Sequence, residues 1–310
     1  MANTEYLDPR ILDRIERLEL RARGVVEGFV SGRHRSPFRG FSVEFADYRG
    51  YVPGDDLKHL DWRTYARTGR YFVKQYELET NLIAHILLDV SESMDYHSPE
   101  SAGELSKLEY GKLLAASLAF LVVKQSDAVG LGLFDNDVRE FVRHSSMDVH
   151  VRQLCATLET TEAENASDTG AALRAMNERI SKRGVVVIIS DLFDSVADIL
   201  DAIQRLSVRR HEVVLFHLLD EYELSFPFEG PVQFHGLETG MRVSCNPRLL
   251  REAYLEEVDG YLEEIRRVAL NCGADYCRIN TKTPVETALA EYLAIRQRIA
   301  RGSRAAGGYR

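Results

Sequence analysis

Ala84-His-Ile-Leu-Leu-Asp89-Val-Ser91-Glu-Ser93-Met94 is a short apolar run that ends in a carboxylate and two hydroxyls. The apolar part has strand length, the pattern of a strand covered on both faces. A second run repeats the design. Val185-Val-Val-Ile-Ile-Ser190-Asp191 is the most β-branched stretch of the chain, and it too ends in Ser and Asp. These two runs decide the fold.

Between them the chain alternates helix and strand. Leu105–Lys124 reads as a long helix and Ala128–Phe134 as a strand. Asp135-Asn-Asp is a tight turn into Val138–Val142, while Val149–Leu158 and Gly170–Ile180 read as helices. Beyond the second run come a helix at Val196–Ser207, a strand at Glu212–Leu219, a helix at Pro247–Asn271, a strand at Ala274–Ile279 and a last helix at Pro284–Ala300 with Pro in its first turn. The pattern predicts an α/β fold, a doubly wound, mostly parallel sheet over residues 81–301 with one antiparallel edge strand. Residues 221–246 break the rhythm and read as an insertion. Residues 302–310, rich in Gly, Ala and Arg, read as a flexible tail.

Residues 1–80 read as an N-terminal extension. A helix is expected from Tyr6 to about Val26, a loop over Ser31–Phe41, a Pro53-Gly54 turn and a strand at Tyr71–Tyr76. Around Pro53–Arg67, Asp55, Asp56 and Asp61 stand near Lys58, Arg63 and Arg67. We read these as ion pairs that fasten the segment, with Trp62 as its buried anchor. A docking surface or a second ion site is the alternative.

Bulk composition excludes several functions. The net charge of −9 over 310 residues is the wrong sign for a nucleic-acid binder, and the acidity lies wholly after residue 80. The longest apolar runs, such as Ala115–Val123, fall far short of the ~20 residues of a membrane helix. The start, Met1-Ala-Asn-Thr-Glu-Tyr6, has no basic region followed by an apolar stretch, so a cytoplasmic protein is expected, bound neither to membrane nor to nucleic acid. Cys155, Cys245, Cys272 and Cys277 form no CxxC pair, which argues against zinc and for reduced thiols.

In a doubly wound sheet ligands sit beyond the carboxyl ends of the strands. There Asp89, Ser91 and Ser93 alternate, so an extended backbone aims them the same way. Ser190-Asp191 closes the second run. Between them Ala166-Ser167-Asp-Thr169-Gly-Ala-Ala-Leu173 is a hydroxyl-bearing loop that feeds a helix. Every donor is a hard oxygen. Mg²⁺ takes six oxygens and keeps several waters, so a few protein ligands suffice; Mn²⁺ is an acceptable substitute, and Ca²⁺ wants more carboxylates. Taken alone, an Asp-x-Ser-x-Ser pattern is also a common turn.

Asp89-x-Ser91-x-Ser93, the Ser/Thr loop and Asp191 together resemble the metal-ion-dependent adhesion site of von Willebrand factor A domains. Upstream, Glu44-Phe, Tyr51-Val-Pro-Gly-Asp-Asp-Leu-Lys-His-Leu-Asp-Trp-Arg-Thr-Tyr-Ala-Arg67 and Phe72-Val-Lys-Gln-Tyr-Glu77 resemble the bacterial domain-of-unknown-function family 58. The resemblance covers nearly the whole chain. It implies a von Willebrand factor A-like fold and a non-enzymatic protein-binding role. Ser91, Ser93 and a loop hydroxyl would bind Mg²⁺ directly, and Asp89 and Asp191 largely through water. An open position would take an Asp or Glu from a partner, here a MoxR-type AAA+ ATPase or its client, in assembly or regulation of a partner complex. Many members carry membrane helices ahead of this segment; none is expected here. The family's loop begins with a metal-binding Thr. That position aligns with Ser167, and Thr169 stands two residues later, so Ser167 is the first expectation and Thr169 the second.

Two rival readings follow from the same residues. One is a Mg²⁺-dependent hydrolase or phosphatase; haloacid-dehalogenase-type phosphatases want a second carboxylate where Ser91 stands, and no phosphate loop, HExxH or GxSxG motif occurs. A structural scaffold with a vestigial metal site is the other.

Overall fold

The computed structural model describes residues 9–31, 44–50, 64, 65, 67, 69, 71–77, 82–99 and 105–306. Most of the Pro53–Arg67 segment, Trp62 included, lies outside the described residues. The chain divides into two compact units, one of residues 38–82 and one of residues 1–37 with 83–310.

The smaller unit holds an antiparallel pair, β1 (Glu44–Gly50) and β2 (Phe72–Glu77), with a bulge between Phe45 and Asp47. Tyr65 stacks on Tyr71 with ring centroids 4.3 Å apart.

The larger unit begins with α1 (Pro9–Ser31) and is built on a six-stranded sheet. Its strands are β3 (Ile83–Asp89), β4 (Ala128–Phe134), β5 (Val138–Ser145), β6 (Val185–Ser190), β7 (Glu212–Leu219) and β10 (Asp275–Asn280). Their order is β10-β7-β6-β3-β4-β5. All pairs are parallel except β4–β5 at the edge, which is antiparallel as the short Asp135-Asn-Asp turn requires. The doubly wound sheet expected from the sequence is therefore present. β3 and β6 lie at its centre with every apolar side chain from Ala84 to Leu88 and from Val185 to Ile189 buried.

Helices cover both faces. On one face α4 (Thr169–Arg179), α5 (Val196–Val208) and α7 (Pro247–Asn271) share a core with Leu87, Val186, Ile188, Val213 and Leu215. On the other, α2 (Lys107–Val123) presses Gly111 against Leu88, Ile189 and Leu218. α2 is buried nearly all round, because α1 and α3 (Asp148–Thr160) close over its outer side. A helix apolar on every face has no other stable place. α1, expected within the N-terminal extension, thus packs with the main unit, also touching α8 (Val285–Ala306). α8 runs past Ala300 into the segment expected as tail, since Ala and Arg are good helix formers and Gly302 costs only about 1 kcal/mol.

The segment after β7 contains the short α6 (Glu221–Ser225) and a hairpin of β8 (Val232–His235) and β9 (Arg242–Cys245). No disulfide joins the four cysteines.

Candidate metal centre at the carboxyl end of the sheet

β3 and β6 run parallel with Leu88 level with Ile189, which brings Asp89 beside Ser190. The chain order reverses here. β4 lies on one side of β3, and β6, reached through α3 and α4, lies on the other. The Ser190 hydroxyl donates to Asp89 Oδ2 at 2.6 Å, and the Ser91 amide donates to Oδ1 at 3.0 Å. Ser91 and Ser93 point the same way, their hydroxyls 3.1 Å apart, at the start of a short 3-10 turn over Glu92–Asp95. Asp89, Ser91 and Asp191 are fully buried, and Ser93 is half-buried.

The 164–168 loop is fastened over this motif. The Glu92 amide donates to the Asn165 carbonyl at 2.9 Å and the Glu164 amide to the Val90 carbonyl at 3.1 Å. Asn165 Nδ2 donates to Asp135 Oδ2 at 2.8 Å. Asp168 caps α4, accepting from the Ala171 amide at 2.9 Å. The two candidate loop hydroxyls differ. Ser167 is half-buried, with its Oγ 3.5 Å from the Phe193 carbonyl. Thr169 is fully buried and its Oγ1 has no hydrogen-bond partner.

Asp191 ends β6 in a bent turn. Leu192 has a φ of 55°, a left-handed conformation that costs a branched residue about 1–3 kcal/mol. The Leu192 amide donates to Ser190 Oγ at 2.9 Å, and the Tyr261 hydroxyl donates to the Leu192 and Asp194 carbonyls. His217 Nε2 lies 2.8 Å from the Asp191 carbonyl, and its Nδ1 2.9 Å from the Tyr276 hydroxyl. Burial pushes His217 down to about 4, so the ring is neutral.

Lys107, in the first turn of α2, is a residue that local sequence reasoning does not find. Its Nζ donates to Asp191 Oδ2 and to Glu223 Oε1, both at 2.7 Å, and lies 4.8 Å from the centroid of the Phe193 ring. Burial opposes its charge, but Asp191 and Glu223 outweigh burial and its pKa is raised. Glu223 is pushed up by burial more than Lys107 pulls it down. Nothing in the spacing around Lys107 marks it, because its partners are 84 and 116 residues away.

Asp135 and Asp220 also stand buried just past strand ends. They hold loops. Asp135 takes the Asn165 amide group, and Asp220 caps α6 and accepts from the Ser98 amide at 3.1 Å and the Thr281 hydroxyl at 3.3 Å.

The donor set suits a hard divalent cation. Burial first, and then the Asp191 charge, push Asp89 up to about 7, against the pull of Ser190 and Ser91. A buried carboxylate whose pKa is raised by burial and a neighbouring negative charge is relieved by a positive charge. The Thr169 hydroxyl has no protein partner, and an orphaned buried hydroxyl costs about 1–3 kcal/mol. Among the described residues no three His, Cys, Asp or Glu cluster as a metal site. Serine and threonine hydroxyls make up most of the donors here.

A profile described as protein of unknown function DUF58 matches residues 47–261 of the chain. The chain belongs to this family. Two uncharacterized proteins of Mycobacterium bovis and Mycobacterium tuberculosis are each 25% identical to this DUF58 chain over 296 residues, 94% of its length and 91% of theirs. Among solved structures, the conserved hypothetical protein BatB from Bacteroides thetaiotaomicron aligns with 16% identity and a TM-score of 0.45, over 70% of this chain and 99% of that one. The SpRpn10 von Willebrand factor A domain aligns with 10% identity and a TM-score of 0.39, over 68% and 94%. The DUF58 chain has an α/β sheet of six strands with one antiparallel edge and helices on both faces. Among the described residues no helix is long and apolar enough to cross a membrane.

Proposed function

We propose that the chain is a metal-ion-dependent protein-binding module rather than an enzyme. The observation that carries the reading is the buried, unpartnered Thr169 hydroxyl at the head of α4, beside the loop fastened over Asp89, Ser91 and Ser93. Ser91, Ser93 and Thr169 would hold Mg²⁺, or Mn²⁺ in its place, with Asp89 and Asp191 in the next layer. Thr169 is preferred to Ser167 because its hydroxyl is fully buried with no protein partner, whereas Ser167 is half-buried. Asp89 is already committed to Ser190 and Ser91, and Asp191 to Lys107, so both act best through water. When bound, the ion supplies a positive charge with a position for an anionic oxygen.

The partner that fits is a protein presenting an Asp or Glu. The family resemblance points to a MoxR-type AAA+ ATPase or one of its clients. A cytoplasmic location belongs to the same reading.

The test is titration calorimetry of Mg²⁺ into wild type and Asp89→Ala. A pull-down of a purified MoxR-type ATPase from the same genome follows, at constant Mg²⁺ and nucleotide. One saturable Mg²⁺ site lost in Asp89→Ala, together with capture lost in Asp89→Ala and Asp191→Ala, supports the module. Equal Mg²⁺ binding by both proteins overturns the metal assignment. Asp89-dependent turnover of a phosphate ester would favour a hydrolase instead.

A further inference from the structure

The β8–β9 hairpin pairs Val232 with Cys245 and His235 with Arg242. Its base is anchored. Phe234 stacks on Phe226 with centroids 5.6 Å apart and meets Phe228 edge-on at 5.0 Å, while Phe226 stacks on Tyr254 of α7 at 4.2 Å. Its tip is held by its own bonds. The Gly236 amide donates to the Met241 carbonyl at 2.8 Å and the Gly240 amide to the Gly236 carbonyl at 3.0 Å, with Gly240 at a φ of 63°. Glu238 stands at the middle of that tip.

A glutamate on a hairpin tip ordinarily extends into water. Glu238 does not. Its Oε1 is buried and has no hydrogen-bond partner. Its carboxylate is in reach of the Ser93 hydroxyl, the Ser93 amide and the Ser167 amide, and feels the charge of Asp191. Those residues come from three separate segments, and all border the candidate metal centre. Burying a carboxylate oxygen beside another carboxylate is unfavourable unless a cation offsets it.

We infer that Glu238 is a built-in carboxylate ligand of this site, delivered by the hairpin to the position that a partner's Asp or Glu would take. The inference rests on the metal reading above. It makes the resting site self-capped. A partner must lift the Gly236–Met241 tip before its own carboxylate can enter, and the aromatic base holds the arm in place meanwhile. The outward side of the tip offers such a partner a handle, since Leu237 and Met241 are 47% and 64% exposed.

Mn²⁺ serves as the probe, because the relaxation rate of water protons reports how many exchangeable waters the bound ion carries. Wild type, Glu238→Ala, Glu238→Gln and Asp89→Ala are each titrated with Mn²⁺, with calorimetry for affinity and circular dichroism for fold. In Glu238→Ala a water replaces the carboxylate, so relaxivity per bound Mn²⁺ rises. Affinity weakens by roughly tenfold, the low end of what even an outer-layer partner contributes. Glu238→Gln weakens Mn²⁺ binding similarly while disturbing the tip least. Acetate added to the Mn²⁺-loaded protein lowers relaxivity in Glu238→Ala only, by entering the vacated position. Asp89-dependent Mn²⁺ binding with the same relaxivity and affinity in all three Glu238 forms overturns the self-ligand and leaves the metal site standing. Mn²⁺ binding that is undetectable in wild type, or unchanged in Asp89→Ala, overturns both.

Discussion

Lys107 Nζ sits 2.7 Å from Asp191 Oδ2, with both side chains sealed from solvent. This buried pair joins the first turn of α2 to the end of β6, so the candidate site and the packing of α2 are coupled. Asp191 Oδ2 accepts from the Lys107 ammonium, and its Oδ1 lies 3.5 Å from the Phe193 amide.

Removing the ammonium should be costly. Lys107→Met leaves Asp191 and Glu223 buried together without a counter-charge, and breaking such a pair costs roughly 3–5 kcal/mol. Urea denaturation in chelator should show a loss of that size, and saturating Mg²⁺ should recover part of it by supplying a cation. A loss below about 1 kcal/mol would show that the pair is no anchor.

Thr169 and Ser167 should separate cleanly. Thr169→Ala should weaken Mn²⁺ binding by roughly tenfold or more, and Ser167→Ala by less than about threefold, because the Thr169 hydroxyl is fully buried with no protein partner, whereas Ser167 is half-buried. Calorimetry on the two variants decides it. The reverse order would return the ligand role to Ser167.

His85, buried in β3 at the far end of the sheet, should make stability depend on acid. Burial, then the charges of His144 and His211, lower it to about 4. The unfolded chain binds this proton near pH 6.5 and the folded chain only near 4. Its contribution is therefore intact above about 6.5 and declines as pH falls towards 4, by up to about 3 kcal/mol. Unfolding free energies at pH 7, 6, 5 and 4.5 should fall less steeply in His85→Leu than in wild type. Parallel curves would assign the acid sensitivity to other groups.

Gly184, just before β6, should tolerate no side chain. A Cβ there would run into the Ile83 carbonyl oxygen of the neighbouring strand, which is backbone and has no room to yield. Gly184→Ala should lower stability by roughly 1–3 kcal/mol or more, the cost of overpacking a tight core. Thermal melting checks this, and an unchanged midpoint would mean that the strands separate easily at that end.

The order of elements was legible in the residues because burial on both faces leaves a local mark. Val185–Ile189 and Ala84–Leu88 can be little else than central strands, and the short Asp135-Asn-Asp link permits only an antiparallel neighbour. Asp89, Ser91 and Ser93 could be picked out from their spacing, although the strand ends at Asp89 and a 3-10 turn places Ser93, and Asp191 follows a strand end in plain view. The sequence by itself thus determined the sheet, its edge and the nearest oxygen donors. Only the tertiary structure decided which loop hydroxyl is buried without a partner, that Lys107 and Glu223 share Asp191's neighbourhood, and that Glu238 reaches back from an insertion to the same place. These depend on contacts between residues far apart in the chain, and whether an atom is buried depends on all its neighbours at once. No local pattern encodes that.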